Sequence, residues 1–245
     1  MPAIEPAGEP AYRLASIVLP VHNQGDHLEG LVRGYLGVLT KLPIPYELVL
    51  VPNACRDHSV EVCRALAAEH DNVRVLELGG GGWGLAVRTG LREAEGDLLC
   101  YTNSARTSPE LLTLSLIYAV AYPNIMVKAN RRIRDSVVRR LGSLLYNMEC
   151  RVLFDLPTWD INGTPKVFPR KFEKLLSPER EDDLIDAELT VICQREGYPI
   201  IEFPAQATLR HTGESTTGFA SALRMYWGAY RLWRRWSREG HERGD

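Results

Sequence analysis

Apolar runs alternate with amphipathic stretches along most of the chain. Nearly unbroken apolar runs, which predict buried strands, lie at 16–21, 46–51, 73–78, 97–102 and 125–129. Apolar positions at helical spacing predict helices at 27–39, 59–70 and 85–94, and another from Pro109, a residue that suits a first helical turn. Continuous apolar strands that alternate with helices are typical of a mostly parallel sheet covered on both faces. We therefore predict an α/β fold of the Rossmann-like type.

The second half of the chain has a different character. A long basic helix is predicted at 134–154, followed by the loop TWDINGTPK at 158–166. A helix at 183–196, a strand at 198–203 and an amphipathic C-terminal helix complete the prediction. We divide the chain into a flexible lead at 1–13, one domain at 14–217, and the C-terminal helix with its tail at 218–245.

Polar or glycine-rich loops follow four of the predicted strands. They are His22-Asn23-Gln24, Pro52-Asn53-Ala54, 79–82 and Asn103-Ser104-Ala105. Because the carboxyl ends of parallel strands share one edge of a sheet, we expect these loops to line a ligand cleft. Asn and Gly are also ordinary turn residues, so each loop taken alone is equally consistent with simple turn chemistry.

Composition excludes several classes of protein. The chain has 245 residues, of which 45% are hydrophobic and 24% charged, as in globular domains rather than disordered or fibrous chains. Lys plus Arg number 29 against 31 Asp plus Glu, and the resulting net charge of −2 does not favour a nucleic-acid partner. The five cysteines form no CxxC pair, which predicts reduced thiols rather than a zinc site or a disulfide framework.

The sequence predicts a cytoplasmic protein without a membrane-spanning helix. The N-terminus has no apolar signal core. The longest apolar run, at 111–127, contains Ser115 and Asn124 and is interrupted by Pro123, so it falls short of the roughly 20 residues that a spanning helix needs.

An ordered set of motifs covers about residues 15–217. These are SIVLPVHNQGDHL, LVLVPNACRDHSVEV, the glycine-rich turn and helix GGWGLAVRTGLREAEGD, the loop DINGTPKVFPR, and DLIDAELTVICQREGYPIIEFPAQATLRHTGEST. In this order they resemble the family-2 glycosyltransferases of the GT-A fold, and among them the dolichyl- and polyprenyl-phosphate sugar synthases. The resemblance implies transfer of a sugar from a UDP- or GDP-linked donor to polyprenyl phosphate or another membrane-linked acceptor.

Acidic residues at three sites of that family are replaced by neutral residues in this chain. The Asp-x-Asp motif, which holds Mn²⁺ or Mg²⁺ on the donor diphosphate in the family, falls at Asn103-Ser104-Ala105. Pro52-Asn53 replaces an Asp-Asp, and Gln24 replaces a Glu. Hard divalent cations need carboxylate oxygens, so we predict no metal ligands and doubt the usual Mg²⁺ or Mn²⁺ cofactor.

The resemblance assigns donor-binding roles at the strand ends. The predicted nucleotide-sugar contacts are Pro20, His22, Asn23, Asn53, Gly82, Arg88, Asn103, Ser104 and Arg106. His22 is expected to stack on the base, and the Asn53 amide to hydrogen-bond the edge of a uracil or guanine. Without a metal, positive side chains must stabilise the diphosphate leaving group. The candidates are Arg88, Arg106, Arg131, Arg132, Arg134, Lys166 and Arg210.

Catalytic and acceptor-binding residues are predicted in the second half. The catalytic candidates by resemblance are Asp186, Glu188 and Arg210, and the acceptor-binding candidates are Arg131, Arg132, Asp160, Asn162 and Ser215. A lipid-phosphate acceptor is already an anion and needs no general base, whereas a hydroxyl acceptor does. Acidic residues in a first helical turn and arginines on a solvated helix face are the structural alternatives.

The C-terminal helix carries aromatic residues beside arginines. Phe219, Leu223, Tyr226, Tyr230 and Trp233 share one predicted face, with Arg224, Arg231, Arg235 and Arg238 on a neighbouring stripe. Trp227 and Trp236 lie off the aromatic stripe and are expected to face outward. This pattern suits peripheral contact with the inner face of a membrane, or packing on the domain core.

Two other hypotheses remain open from the sequence. The three lost acidic positions are consistent with a degenerate glycosyltransferase that acts as a binding or scaffold module. A nucleotidyltransferase of related architecture is less favoured, because HNQGD after the first strand has only one glycine where a phosphate-binding loop is expected.

Overall fold

The fold is a seven-stranded sheet with helices on both faces. The computed structural model describes the backbone of residues 11–104, 107–133, 137–206 and 219–242, and the side chains there except those of 131–140, 206, 219–223 and 239–242. The strands are β1 Ala15–Val21, β2 Tyr46–Pro52, β3 Val73–Val75, β4 Leu98–Tyr101, β5 Met126–Ile133, β6 Lys166–Pro169 and β7 Ile200–Gln206. The helices are α1 Gly25–Leu39, α2 Ser59–Glu69, α3 Trp83–Glu93, α4 Pro109–Ala121, α5 Val137–Phe154, α6 Ile185–Glu196 and α7 Phe219–Glu242, with a 3₁₀ turn at Glu173–Leu176.

The strand order confirms the mostly parallel α/β prediction and adds one strand. The order is β3-β2-β1-β4-β6-β5-β7, and only β6 runs antiparallel to its neighbours. β6 lies where the sequence predicts the end of a loop. Four residues that finish at Pro169 carry too short a pattern to predict a strand, and β6 exists because β4 and β5 flank it on both sides.

Each face of the sheet has its own apolar core, as expected for strands buried on both sides. Ile17 and Leu19 point toward α1, α2 and α4, whereas Val18 between them points toward α3 and α6. α3 lies very close to the sheet at Gly90, where an added Cβ would come within 2.3 Å of Val18 Cγ1. Close contact on both faces fixes β1 as the centre of the fold.

A third apolar cluster joins α5, α6 and α7, and it corrects one prediction. Ala229, Leu232 and Trp236 of α7 are buried in this cluster, so Trp236 faces inward and not outward. Trp227 is exposed, as predicted. The small residues of α7 decide its orientation, because a Cβ added at Gly228 would lie 2.2 Å from Leu184 Cδ1.

The cysteines and the lengths of the helices can also be compared with the sequence. All five cysteines are free thiols, and every one except Cys55 is buried. Within the part of the chain that the structure describes, no helix combines the length and the apolar character needed to cross a bilayer. The division into a lead, a main domain and a C-terminal helix stays a prediction.

Candidate active site

The loops after β1, β2 and β3 are joined at the carboxyl edge of the sheet by Asn53. Its amide nitrogen donates to the carbonyl oxygens of Val21 at 2.9 Å and Val51 at 3.3 Å. Its Oδ1 accepts from the backbone N–H of Gly82 at 3.3 Å. Both N–H groups of the Asn53 amide are therefore engaged, and the side chain positions the three loops, while its predicted contact with a base stays a prediction.

His22 lies exposed beside Asn53 with both ring nitrogens engaged. Nδ1 is 2.8 Å from the Asn53 carbonyl oxygen, which can only accept, so Nδ1 carries the proton. Nε2 accepts from the Asn23 amide at 3.2 Å, and Asn23 Oδ1 accepts from the Arg56 backbone N–H at 2.8 Å. These contacts hold the imidazole ring while the side chain stays exposed, as stacking on a nucleotide base would require.

The structure brings Pro20 and Ser104 together at the same edge. The Ser104 hydroxyl donates to the Pro20 carbonyl oxygen at 3.2 Å, which ties the loop after β4 to the end of β1. Asn103 directly precedes Ser104 in this loop. The edge that the sequence predicts for the donor thus contains Pro20, His22, Asn23, Asn53, Gly82, Asn103 and Ser104.

Arg88 does not point freely into this edge. Its guanidinium donates to Glu181 Oε1 at 2.5 Å and to the Glu179 carbonyl oxygen at 3.3 Å. These bonds join α3 to the segment before α6. Gly82 meets the same segment, since its φ is 152° and an added Cβ would lie 2.6 Å from the Glu181 carbonyl oxygen. Contact of Arg88 with a diphosphate stays a prediction and requires that the Glu181 pair opens.

We call the edge that contains these residues the donor edge. Near it, a row of polar residues crosses the four strands β4, β6, β5 and β7, and we call it the buried row. The strand registers pair Tyr101 with Lys166, Lys166 with Lys128, and Lys128 with Glu202. Both lysines are completely buried, and Lys128 Nζ lies 3.1 Å from Glu202 Oε1. The row ends at Tyr101, two residues before Asn103. Two buried lysines therefore share a row of the sheet with Tyr101, close to the end of β4.

Asp186 of α6 contacts two residues of this row, Tyr101 and Lys166. Its Oδ1 accepts from the Tyr101 hydroxyl at 2.7 Å and pairs with Lys166 Nζ, and its Oδ2 accepts from Trp83 Nε1 at 3.1 Å. Burial lowers the pKa of Lys166 to about 8, a fall that Lys128 increases and Asp186 opposes. With three donors on its carboxylate, Asp186 holds the lysine and the edge in place. Its predicted catalytic role stays a prediction.

Glu188 organises the segment before α6. Its carboxylate oxygens accept from the backbone N–H groups of Glu179 at 3.0 Å and Arg180 at 2.8 Å. Burial raises the pKa of this carboxyl group. Glu188 thus shapes the segment that contacts Gly82 and Arg88. This geometry favours a structural role, and the predicted catalytic role stays untested.

The loop at 158–166 contains the predicted acceptor residues Asp160 and Asn162, and we call it the acceptor loop. Hydrogen bonds hold it on two sides. Glu202 accepts from the backbone N–H groups of Trp159 at 2.8 Å and Asp160 at 3.1 Å. On the other side, Asn147 Oδ1 of α5 accepts from the Ile161 N–H at 3.2 Å. The buried Oδ1 of Asn162 has no hydrogen-bond partner among the described residues.

Several predicted site residues cannot be placed. Arg106, Arg134, Arg210 and Ser215 lie outside the described residues. Arg131 and Arg132 belong to β5, but only their backbone is described. Their roles stay predictions.

A family model matches most of this chain. The model described as glycosyl transferase family 2 covers residues 16–174, from β1 to just beyond β6. The chain belongs to glycosyl transferase family 2. This family-2 chain also has the predicted GT-A fold, which its similarity to solved structures shows.

Two solved synthases illustrate that fold. One is glucosyl-3-phosphoglycerate synthase from Mycobacterium tuberculosis, in complex with Mn²⁺, UDP and glucosyl-3-phosphoglycerate. It superposes with a TM-score of 0.69 at 15% identity, over 89% of this chain and 77% of that chain. Mannosyl-3-phosphoglycerate synthase from Rubrobacter xylanophilus superposes with a TM-score of 0.71 at 19% identity, over 94% and 75%.

Curated relatives of this family-2 chain include lipid-phosphate sugar transferases. An undecaprenyl-phosphate 4-deoxy-4-formamido-L-arabinose transferase from Pseudomonas fluorescens is 30% identical over 81% of this chain and 55% of its own length. The enzyme of that name from Pectobacterium atrosepticum is 29% identical over 56% and 42%. Glycosyltransferase AglD from Haloferax volcanii is 28% identical over 77% and 32%. The chain thus matches about a third to a half of the length of these relatives.

The donor edge of this family-2 chain does not fit a hard divalent cation. Among the residues whose positions are described, no group of three His, Cys, Asp or Glu side chains could hold a metal. The edge offers the amide of Asn103 and the hydroxyl of Ser104, and the hydroxyl already donates to Pro20. Mg²⁺ and Mn²⁺ favour carboxylate oxygens, which these two residues lack.

The sequence contained a signal for the buried row that the motif comparison did not use. Lys128 lies inside the apolar run IMVKA, and Glu202 lies inside YPIIEF. A charge within a buried strand must be paired, and opposite charges in two such strands indicate a buried ion pair.

Proposed function

We propose that the chain transfers a sugar from a nucleoside-diphosphate donor to a polyprenyl phosphate. The observation that carries this proposal is the donor edge of a family-2 chain, where Asn53 joins three loops and His22 presents an open ring face. Two of its curated relatives are undecaprenyl-phosphate sugar transferases, which supports a lipid-phosphate acceptor.

The proposed reaction is one displacement at the anomeric carbon. An oxygen of the acceptor phosphate forms a bond to that carbon while the bond to the donor diphosphate breaks, and the nucleoside diphosphate leaves with the electron pair. Because the acceptor is already an anion, no side chain has to remove a proton from it. A general base is therefore unnecessary. This agrees with the geometry of the Asp186 carboxylate, which already accepts from Trp83, Tyr101 and Lys166.

In this proposal positive side chains balance the charge of the two phosphate groups. Arg106 follows the Asn103-Ser104 loop in the sequence, and Arg131 and Arg132 continue β5 beyond Lys128. Arginine suits this task because its planar guanidinium binds phosphate oxygens in pairs. Lys166 and Lys128 are each paired with a carboxylate, so they add no net charge to this balance.

A titration tests the donor half of the proposal. Purified chain is titrated by calorimetry with UDP, GDP and their sugar conjugates, each in EDTA and in excess Mn²⁺. We expect micromolar binding of one base that is the same in both conditions. His22→Ala should weaken it by about fivefold to a hundredfold, since base stacking contributes roughly 1–3 kcal/mol. His70→Ala, at the far end of α2, is the matched control and should bind like the wild type.

A transfer assay tests the acceptor half. The radiolabelled donor identified by the titration is incubated with a short, water-soluble polyprenyl phosphate, and with the corresponding alcohol as the control. We expect label on the phosphate and none on the alcohol. Transfer to the alcohol alone would contradict the acceptor class while leaving the donor assignment intact.

A second candidate function is a binding or scaffold module that keeps the fold without the reaction. The absence of carboxylates at the Asn103-Ser104 loop favours it. This candidate predicts no nucleotide binding in either condition of the titration, or binding without transfer to any acceptor. The catalytic proposal fails under the same results.

We also propose that the protein works at the inner face of a membrane without a span of its own in the described residues. An acceptor with a polyprenyl chain is confined to the bilayer, so the acceptor loop has to reach the headgroup layer. The exposed Trp227 of α7, with the guanidinium of Arg231 5.5 Å from its ring centre, supports such contact.

A further inference from the structure

The carboxylate of Glu202 on β7 binds donors from both β5 and the acceptor loop. Its Oε1 lies 3.1 Å from Lys128 Nζ and accepts from the Asp160 N–H at 3.1 Å. Its Oε2 accepts from the Trp159 N–H at 2.8 Å and from the side-chain amide of Asn130 at 3.4 Å. A carboxylate offers about four lone-pair positions, and these four donors occupy them. The contacts of Glu202 therefore indicate that it positions other groups and does not itself bind substrate.

The two backbone N–H groups that Glu202 binds belong to consecutive residues of the acceptor loop. Trp159 donates to one carboxylate oxygen and Asp160 to the other. A glutamine in the same place would offer one oxygen and would turn an amide N–H towards one of the two backbone N–H groups. The loop conformation therefore depends on a carboxylate at this position, and an amide of nearly equal size cannot replace it.

The far end of the acceptor loop is fixed by β5. A Cβ added at Gly163 would lie 1.9 Å from the Ala129 carbonyl oxygen, so the loop touches the strand there. The Ala129 N–H donates to the Pro165 carbonyl oxygen at 3.1 Å. Asp160, a predicted acceptor residue, is buried between this end and the bonds to Glu202. Its placement therefore depends on Glu202 as well as on the strand.

Glu202 also balances the charge of Lys128, and this second task can be separated from the first. Lys128 is completely buried, and a buried ammonium group needs a carboxylate partner. Lys128→Met removes the cation but leaves both oxygens of Glu202 to the acceptor loop. Glu202→Gln changes the loop contacts and the charge balance together. The double variant restores the charge balance without restoring the loop contacts.

We infer that Glu202 is a positioning residue that fixes the acceptor loop and thereby sets the affinity for the phosphate acceptor. This inference rests on the proposed lipid-phosphate acceptor and names a residue through which the site is shaped for it. The bonds of Glu202 reach β5 and the acceptor loop, whereas the donor edge is built from the loops after β1, β2, β3 and β4. Binding of the donor should therefore not depend on Glu202.

Kinetics and hydrogen–deuterium exchange of five proteins test this inference. They are the wild type, Glu202→Gln, Lys128→Met, the double variant, and the matched control Glu196→Gln, whose side chain is exposed at the end of α6. The donor dissociation constant is measured by calorimetry, and kcat and the acceptor KM with the short, water-soluble polyprenyl phosphate. Exchange is followed in peptides that cover 158–166 and 98–101. Thermal unfolding by circular dichroism shows that each protein is folded at the assay temperature.

We expect Glu202→Gln to raise the acceptor KM at least about tenfold, because small displacements of positioned groups have large effects. Its kcat should stay within about threefold of the wild type and its donor dissociation constant within about twofold. Exchange should become at least about tenfold faster in 158–166 and stay unchanged in 98–101. Lys128→Met should unfold at a lower temperature but keep the acceptor KM within about threefold, and the double variant should regain stability while its KM stays raised. Glu196→Gln should behave like the wild type.

Three results would overturn the inference. These are unchanged exchange of 158–166 in Glu202→Gln, an equal loss of donor and acceptor affinity in that variant, or a wild-type acceptor KM in the double variant, which would assign Glu202 to charge balance alone. Exchange and donor binding are measured without acceptor. If the wild type transfers sugar to no phosphate acceptor, the proposed function fails, whereas faster exchange with normal donor binding in Glu202→Gln would still support the positioning of the loop by Glu202.

Discussion

Replacement of Lys166 by Met tests the buried charge arrangement under the donor edge. Lys166 is fully buried and pairs with Asp186, whose remaining donors are the uncharged Tyr101 hydroxyl and Trp83 indole. Methionine has similar volume and keeps the apolar contacts, but it gives the carboxylate neither a cation nor the hydrogen-bond donor that an uncharged lysine amine would still supply. We expect the free energy of unfolding to fall by about 3–5 kcal/mol at pH 7, the range for removing one partner of a buried pair.

The pKa of Lys166 sets the pH dependence of this effect. Burial lowers that pKa from 10.5 to about 8. Between these values the unfolded chain binds more protons than the folded chain, so wild-type stability rises with pH. A shift of this size corresponds to about 3 kcal/mol gained between pH 8 and pH 10.5. Lys166→Met should lack this gain.

Urea denaturation of four proteins measures these quantities. Wild type, Lys166→Met, Asp186→Asn and the double variant are unfolded at pH 7, pH 8 and pH 10.5, with circular dichroism as the signal. In Asp186→Asn the pKa of Lys166 should fall further, because the charge that raises it is gone. The double variant should recover much of the loss and give a coupling of roughly 2 kcal/mol or more. The exposed Lys171→Met is the control and should change stability by less than about 0.5 kcal/mol.

The reasoning would be refuted by a small effect. If Lys166→Met lies within about 1 kcal/mol of the wild type at pH 7 and the double variant shows no coupling, the pair is not buried as described. Equal pH dependence of the wild type and Lys166→Met between pH 8 and 10.5 would contradict the lowered pKa of Lys166.

Three further predictions concern the elements around the site. Asn53→Asp, which restores the acidic residue of the family, should lower stability by about 2–4 kcal/mol in urea denaturation, because a carboxylate oxygen would face the carbonyl oxygens of Val21 and Val51; unchanged stability would show that the amide bonds are absent. Gly90→Ala should cost about 1–3 kcal/mol by overpacking against Val18, and the added change Val18→Ala should restore stability, whereas a stabilised single variant would contradict the close approach. Tyr226→Phe should lose about 1 kcal/mol with its bond to the Gly142 carbonyl oxygen, and a neutral result would mean that α7 does not hold α5 as described.

The order of elements and the placement of the donor loops were predictable from the sequence. Apolar runs at 16–21 and 46–51 became β1 and β2 almost residue for residue. Strand and helix periodicity is a local property, and the rule that parallel strands end at one edge needs no coordinates. His22, Asn53 and Ser104 therefore appeared as one cleft before any contact was known.

The detailed roles of these residues were not predictable in the same way. The Asn53 amide reads as a base-recognition group in the sequence, yet two carbonyl oxygens within bonding distance take both of its donors. Trp236 was expected outward because large aromatic residues dominated the pattern of α7. The small residues Gly228 and Ala229 decided which side could approach α6.

The sequence by itself determined the alternation of strands and helices, the family, and the edge of the sheet at which the predicted donor residues lie. Only the tertiary structure decided that β6 enters the sheet antiparallel between β4 and β5. That insertion sets the register that places Tyr101, Lys166, Lys128 and Glu202 in one row. Periodicity along a chain reports which residues avoid water, whereas the identity of the surface that covers them depends on residues far away in sequence.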